Sequence, residues 1–150
     1  MKMAEALMER KAAKTKMEEL RRRIYQHAQV EQGGKPVEDP LTLLQEMTEE
    51  TRRFEAIVAR INTANHTTRL ADGTTLAETV LRRDMLRYVH LTVTNLAAKA
   101  AQAPDRYSPR EIKNEPAVSV ADLHRRADAL AKEIRLLDAT VQQANWQIEL

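Results

Sequence analysis

Residues 119–148 read SVADLHRRADALAKEIRLLDATVQQANWQI. Within them Val120, Leu123, Ala127, Leu130, Ile134, Leu137, Val141, Ala144 and Ile148 recur at alternating steps of three and four. An α-helix turns once every 3.6 residues, so these side chains form one apolar seam along a single long helix. Such a seam is stable only when other helices cover it. Ser119, with Asp122 three residues on, supplies the helix start, because a serine oxygen accepts one of the unpaired first-turn amides.

Three more helices follow from the same spacing. The first covers residues 2–32, with a seam of Met3, Ala6, Arg10, Ala13, Met17, Leu20, Ile24 and Ala28. Gly33-Gly34 is expected to stop it, since glycine enters the left-handed region at little cost. The second covers 40–65. Asp39 caps it, Pro40 opens it, and its seam is Leu44, Met47, Thr51, Phe54, Val58, Ile61 and Asn65. The third covers 75–102, with Thr75 and Glu78 spaced as a capping box. At 100° per residue its Leu81, Leu86, Val89, Val93 and Leu96 spread over roughly 140°, with Leu91 on the far side. One neighbouring helix cannot cover that arc, so self-association through this face is expected. The fourth helix spans 119–149.

Short connections between such helices predict an all-α, antiparallel up-down four-helix bundle in a single domain, 1–150, of long coiled-coil-like helices. Irregular or β-like pieces decorate its ends. Asp72-Gly73 favours a tight turn between helices two and three, and Arg110-Glu111-Ile112-Lys113 could run extended before helix four.

Composition narrows the chemistry. With 31% charged residues, 3% aromatic residues and three glycines in 150, this is the make-up of long helices. Cysteine is absent, which removes disulfides and thiolate chemistry. No apolar run approaches the ~20 residues of a membrane span, and Glu5 and Glu9 interrupt any signal-peptide core. A soluble, cytoplasmic protein without a membrane partner is expected.

Arginines cluster at 21–23, 52–53, 82–83 and 125–126, but acidic neighbours dilute each group, and the net charge is only +2. Aromatic side chains for base stacking are nearly missing, so the pattern argues against nucleic acid as a partner. None of His27, His66, His90 and His124 has a glutamate three residues before it, so the Glu-x-x-His pattern of bundle metal sites is absent. No metal or cofactor is expected. Nor do a glycine-rich phosphate loop, a base–nucleophile set or facing carboxylates emerge, so no catalytic residues are assigned and no enzyme is expected.

The sharpest polar feature is residues 61–69, INTANHTTR. In an up-down bundle this stretch shares one end with Arg10, Arg83-Asp84 and Asn145-Trp146. The candidate set is Arg10, Asn62, Asn65, Thr67, Arg69, Asp72, Arg83, Asp84, Asn145 and Trp146. These residues make either a ligand or partner pocket or a hydrogen-bonded plug that fixes register and seals the bundle end.

Several fragments resemble a known group. They are Ala4-Glu5-Ala6-Leu7 with Arg10, Glu38-Asp39-Pro40, Ile61-Asn62-Thr63-Ala64-Asn65, and Leu70 with Asp72-Gly73-Thr74-Thr75-Leu76. Arg83-Asp84, Arg110-Glu111-Ile112-Lys113 and Ala144-Asn145-Trp146 continue the pattern. Together they resemble the septicolysin-like family of small bacterial helical proteins. That resemblance implies an α-helical protein with no catalytic residue to transfer. The family label implies a cytolysin, but no segment here could line a bilayer.

The favoured expectation is a non-catalytic structural or protein-interaction module that forms a homo-oligomer and takes a further protein partner. The alternative is a small-ligand or nucleic-acid-binding protein using the polar end around residues 62–72.

Overall fold

The computed structural model describes residues 1–103 and 113–150. Arg110, Glu111 and Ile112, read above as extended, lie outside the described residues. Four helices run in chain order: α1 (Met3–Gln26), α2 (Pro40–Thr67), α3 (Leu76–Ala100) and α4 (Val120–Gln147). The all-α class holds, with no strand among the described residues and only two isolated bridges, Lys2 with Glu149 and Arg69 with Thr75. The chain forms two compact units, Met1–Leu76 with Ala144–Leu150, and Ala77–Gln143.

In the first unit α1 and α2 pack along their lengths. Their ion pairs run in opposite sequence directions: Glu9 with Arg53 at 3.7 Å, Lys16 with Glu46 and Glu50 at 3.3 Å each, and Arg23 with Glu38. The two helices are therefore antiparallel. Met3, Ala6, Ala13 and Leu20 of α1 and Leu43, Ile57 and Ile61 of α2 are buried. Lys2 donates its backbone N–H to the Glu5 carboxylate at 2.7 Å, which starts α1.

The end of α1 differs from the expectation. The helix stops at Gln26, six residues short of the predicted boundary. Ala28, next on the seam, is exposed, so continuing the helix would bury nothing to offset the cost of fixing backbone. Glu38 also draws the chain across, taking Arg23 Nε at 3.0 Å and the His27 ring at 3.4 Å. Gly33 does adopt a left-handed conformation, φ +82°, but in the turn beyond the helix.

At the start of α2, Asp39 accepts Leu41 N–H at 3.3 Å and Thr42 N–H at 3.2 Å. These bonds and the Thr42 hydroxyl, which contributes most, hold the Asp39 carboxyl below its ordinary range. The α2 seam is shifted from the predicted phase. Leu43 is buried and Leu44 exposed, and Glu50 occupies a buried slot, where Lys16 compensates its charge.

In the second unit, Arg83 and Arg87 of α3 both donate to Asp138 of α4, at 3.0 and 3.3 Å. Leu96, Lys99 and Ala100, late in α3, share a depression of about 740 Å³ with residues 114–118, just before α4. The helix α4 therefore begins where α3 ends, and the pair is antiparallel. Ser119 Oγ accepts Asp122 N–H at 3.2 Å, the predicted cap. No member of the α4 seam is exposed, although between Val120 and Leu137 each is only half-buried.

Candidate functional site

The polar stretch after α2, expected to form a pocket or a plug, carries a set of hydrogen bonds within its own loop. After α2, Leu70 N–H donates to Thr74 O at 2.8 Å and Gly73 N–H to Leu70 O at 2.9 Å. Leu76 N–H donates to Thr68 O at 3.0 Å. Gly73 takes φ +84°, as the Asp72-Gly73 pair requires. Asp72 Oδ1 accepts the backbone N–H of Thr74 at 3.0 Å and its hydroxyl at 2.6 Å. Arg69 Nη1 donates to Gly73 O at 2.8 Å. The charges of Arg69 and Asp72 thus hold the shape of their own loop.

The remaining candidates differ in exposure and bonding. Thr67 donates its hydroxyl to Thr63 O at 2.9 Å. Asn62 is exposed and its carbonyl meets the His66 ring at 2.8 Å, while Asn65 is half-buried. Arg10 is exposed. Asn145 is buried, whereas its neighbour Trp146 is 56% exposed. No deeply buried side-chain nitrogen or oxygen lacks a partner among the described residues. Arg83 and Asp84 belong to the second unit. There Arg83 bridges Asp84 and Asp138 at 3.0 Å each, and Arg82 meets Glu133 at 2.8 Å.

Sequence reasoning missed a backbone ladder in the first unit. Met3 N–H donates to Ile148 O at 3.0 Å and Leu150 N–H to Met1 O at 2.9 Å. Glu149 gathers Lys2 Nζ at 2.6 Å and the Met1 amine at 3.0 Å. Those cations, Lys2 first, hold its carboxyl below the ordinary range. The available signal was weak: two cationic groups at one end of the sequence and one carboxylate at the other. Beside Glu149 and Leu150, a groove of about 400 Å³ runs along Ala59, Thr63, Ala64 and Thr67 of α2. These are small or hydroxylated side chains, and Arg60 is the one cation among those lining it.

The outer face of α3 has a different character. The seam Thr79, Arg83, Leu86, His90, Val93 and Ala97 is buried or half-buried, and Arg83 on it reaches α4. On another face Leu81 is 60%, Met85 53%, Tyr88 70% and Leu96 44% exposed. By helical geometry the two stripes lie about 140° apart. Exposed apolar residues scattered singly are ordinary, whereas these four share one face of a single helix.

With this geometry in view, comparison with family models returns a match over residues 10–150 to a family of unknown function, DUF6847. The chain belongs to DUF6847. The chain is also similar to a crystal structure of a functionally unknown conserved protein from Corynebacterium diphtheriae. The two share 37% identity over 100% of this chain and 98% of that one, with a TM-score of 0.93. No curated protein matches.

Membership of DUF6847 corrects the resemblance drawn from the sequence. Neither the family nor the structural relative points to a septicolysin-like group, and the cytolysin label falls with it. The fragments behind that resemblance are largely caps, turns and seam residues, such as Asp39-Pro40 and Asp72-Gly73, which follow from helical architecture. Among the described residues no group of three or more metal-binding side chains converges, and no helix is long and apolar enough to cross a membrane.

Proposed function

We propose that this DUF6847 protein is a non-catalytic helical interaction module that self-associates through the outer face of α3. The observation that carries the reading is the exposed stripe Leu81, Met85, Tyr88 and Leu96, on a helix whose other seam lies against α4. Fully burying a large apolar side chain gains about 1.5–3 kcal/mol, and covering the exposed part of each of these four contributes a share of that toward an interface. Tyr88 adds a rigid aromatic anchor of the kind enriched at contact centres. The internal bonding of Arg69 and Asp72 supports a structural role for the polar loop, as a closure that sets the α2–α3 connection.

Light scattering over a concentration series tests this. The expected result is a mass above 17.1 kDa that falls on dilution. Tyr88→Glu, at an exposed site, should keep the helical circular dichroism signal and shift the protein to monomer. A strictly monomeric wild-type protein at high concentration overturns the proposal.

A further inference from the structure

Asp72-Gly73 is the one place in the sequence where aspartate or asparagine precedes glycine. Such a pair can react with itself. The Gly73 amide nitrogen attacks Asp72 Cγ and a C–N bond forms. The carboxyl oxygen leaves as water, taking one proton from the carboxylic acid and one from the amide. Hydrolysis of the resulting succinimide returns aspartate or yields isoaspartate, in which the main chain passes through the side-chain carbon. Glycine favours the attack because it carries no Cβ to hinder the approach. Both residues are exposed, so water reaches them. Sequence and exposure alone therefore mark a site of spontaneous damage.

We propose that the hydrogen bonds of this loop hold the reaction shut, and that Asp72-Gly73 is a latent self-modification site opened only when the loop loosens. Both reacting groups are engaged in the native protein. Gly73 N–H donates to Leu70 O at 2.9 Å, which fixes the peptide plane of the attacking nitrogen. Asp72 Oδ1 accepts the Thr74 N–H at 3.0 Å and its hydroxyl at 2.6 Å, so the carboxyl reaches past Gly73 to the next residue. Arg69 Nη1 pins Gly73 O at 2.8 Å, and Leu70 N–H holds Thr74 O at 2.8 Å. Ring closure needs Gly73 N and Asp72 Cγ to come within bonding distance. That turn breaks bonds on both sides of the pair.

The product would also be costly to this fold. Isoaspartate adds one carbon to the main chain inside a ladder that joins Leu70 to Thr74 and Thr68 to Leu76. The bonds that block the reaction are the ones its product would lose.

The test is isoaspartate at residue 72 of the full chain, read by peptide mass spectrometry with electron-transfer fragmentation. Samples are held at mildly acidic pH, either folded or denatured in guanidinium chloride. The expected rate is roughly thirtyfold lower in the folded chain, the factor that about 2 kcal/mol of hydrogen bonding sets. Equal rates in the two states overturn the proposal. Thr74→Val removes the hydroxyl and keeps the backbone N–H, while Arg69→Ala frees Gly73 O. Each, with helical circular dichroism intact, should speed the folded reaction roughly fivefold. No acceleration in either variant also overturns the proposal. Asp72→Asn gives a faster, independent reading, because its side-chain carbonyl can accept the same two Thr74 bonds. Its deamidation passes through the same succinimide with ammonia leaving in place of water, and it should likewise be slower folded than denatured. Equal deamidation rates count against the guard.

Discussion

Leu20 of α1 and Leu81 of α3 are the same side chain on two long helices of similar pattern, yet Leu20 is 1% exposed and Leu81 is 60% exposed. The difference extends to the units that hold them. The largest fully buried side chains, Met3, Leu20, Ile61 and Leu76, all lie in the first unit. In the second, Val93, Ala97 and Val141 are buried, but Leu86, Leu123, Leu130, Ile134 and Leu137 are only half-buried. Amphipathic helices of one composition therefore serve two purposes. One set closes a core within the chain, and the other leaves apolar side chains exposed.

Three substitutions test that contrast. Leu20→Ala should cost about 2–5 kcal/mol of unfolding free energy, because it opens a cavity in a closed core. Leu81→Ala, measured at high dilution, should change stability by no more than about 0.5 kcal/mol. Comparable losses in denaturant titrations would break the contrast. A smaller effect sharpens it within the second unit. Ser119→Ala removes the oxygen that accepts Asp122 N–H at the start of α4 and should cost about 1 kcal/mol. Amide exchange should accelerate first in residues 120–123.

The smallest effect belongs to the first unit and depends on pH. Glu149 has its carboxyl held below the ordinary value by Lys2 and the Met1 amine. A carboxylate lowered in the folded state stabilises it above the unfolded value, about pH 4. That contribution disappears as pH falls through the folded value. Glu149→Gln should therefore lower Tm slightly at pH 6–7, and the gap from wild type should close as pH falls below about 4. A gap that persists unchanged at pH 2 would contradict the assignment.

Much of the architecture was legible in the periodicity. The phase of the α4 ladder held from Val120 to Ala144, because its apolar residues occur at unambiguous steps and no exposed member interrupts it, although the helix ends at Gln147, so that Ile148 lies just beyond it. The phase of α2 was less legible, since Leu43 and Leu44 are adjacent and either could belong to the seam. Glu50 lies outside the predicted apolar seam, yet it is buried. Its neutralising partner, Lys16, lies on another helix, and no local pattern reveals that pairing. The early end of α1 likewise depends on Glu38, a dozen residues further on. At the polar end the sequence leaves a pocket and a hydrogen-bonded plug open, because a tight turn uses the same donors and acceptors as a binding site; Arg69 and Asp72 bond within their own loop. The α3 surface was visible as an arc too wide for one neighbour, and the structure supplied which part of that arc remains uncovered.

The first unit draws its residues from both ends of the chain, Met1–Leu76 and Ala144–Leu150. A ribosome releases those two pieces far apart in time. At about 5–20 residues per second, the roughly seventy residues between them take about 3–14 s to make. Through that interval the places later taken by Ala144 and Asn145 stay vacant, and Met3 has no Ile148 carbonyl to bond. Completion of the first unit thus waits until residues 144–150 have been made, and a nascent chain halted before residue 144 should remain open to protease at its first helix.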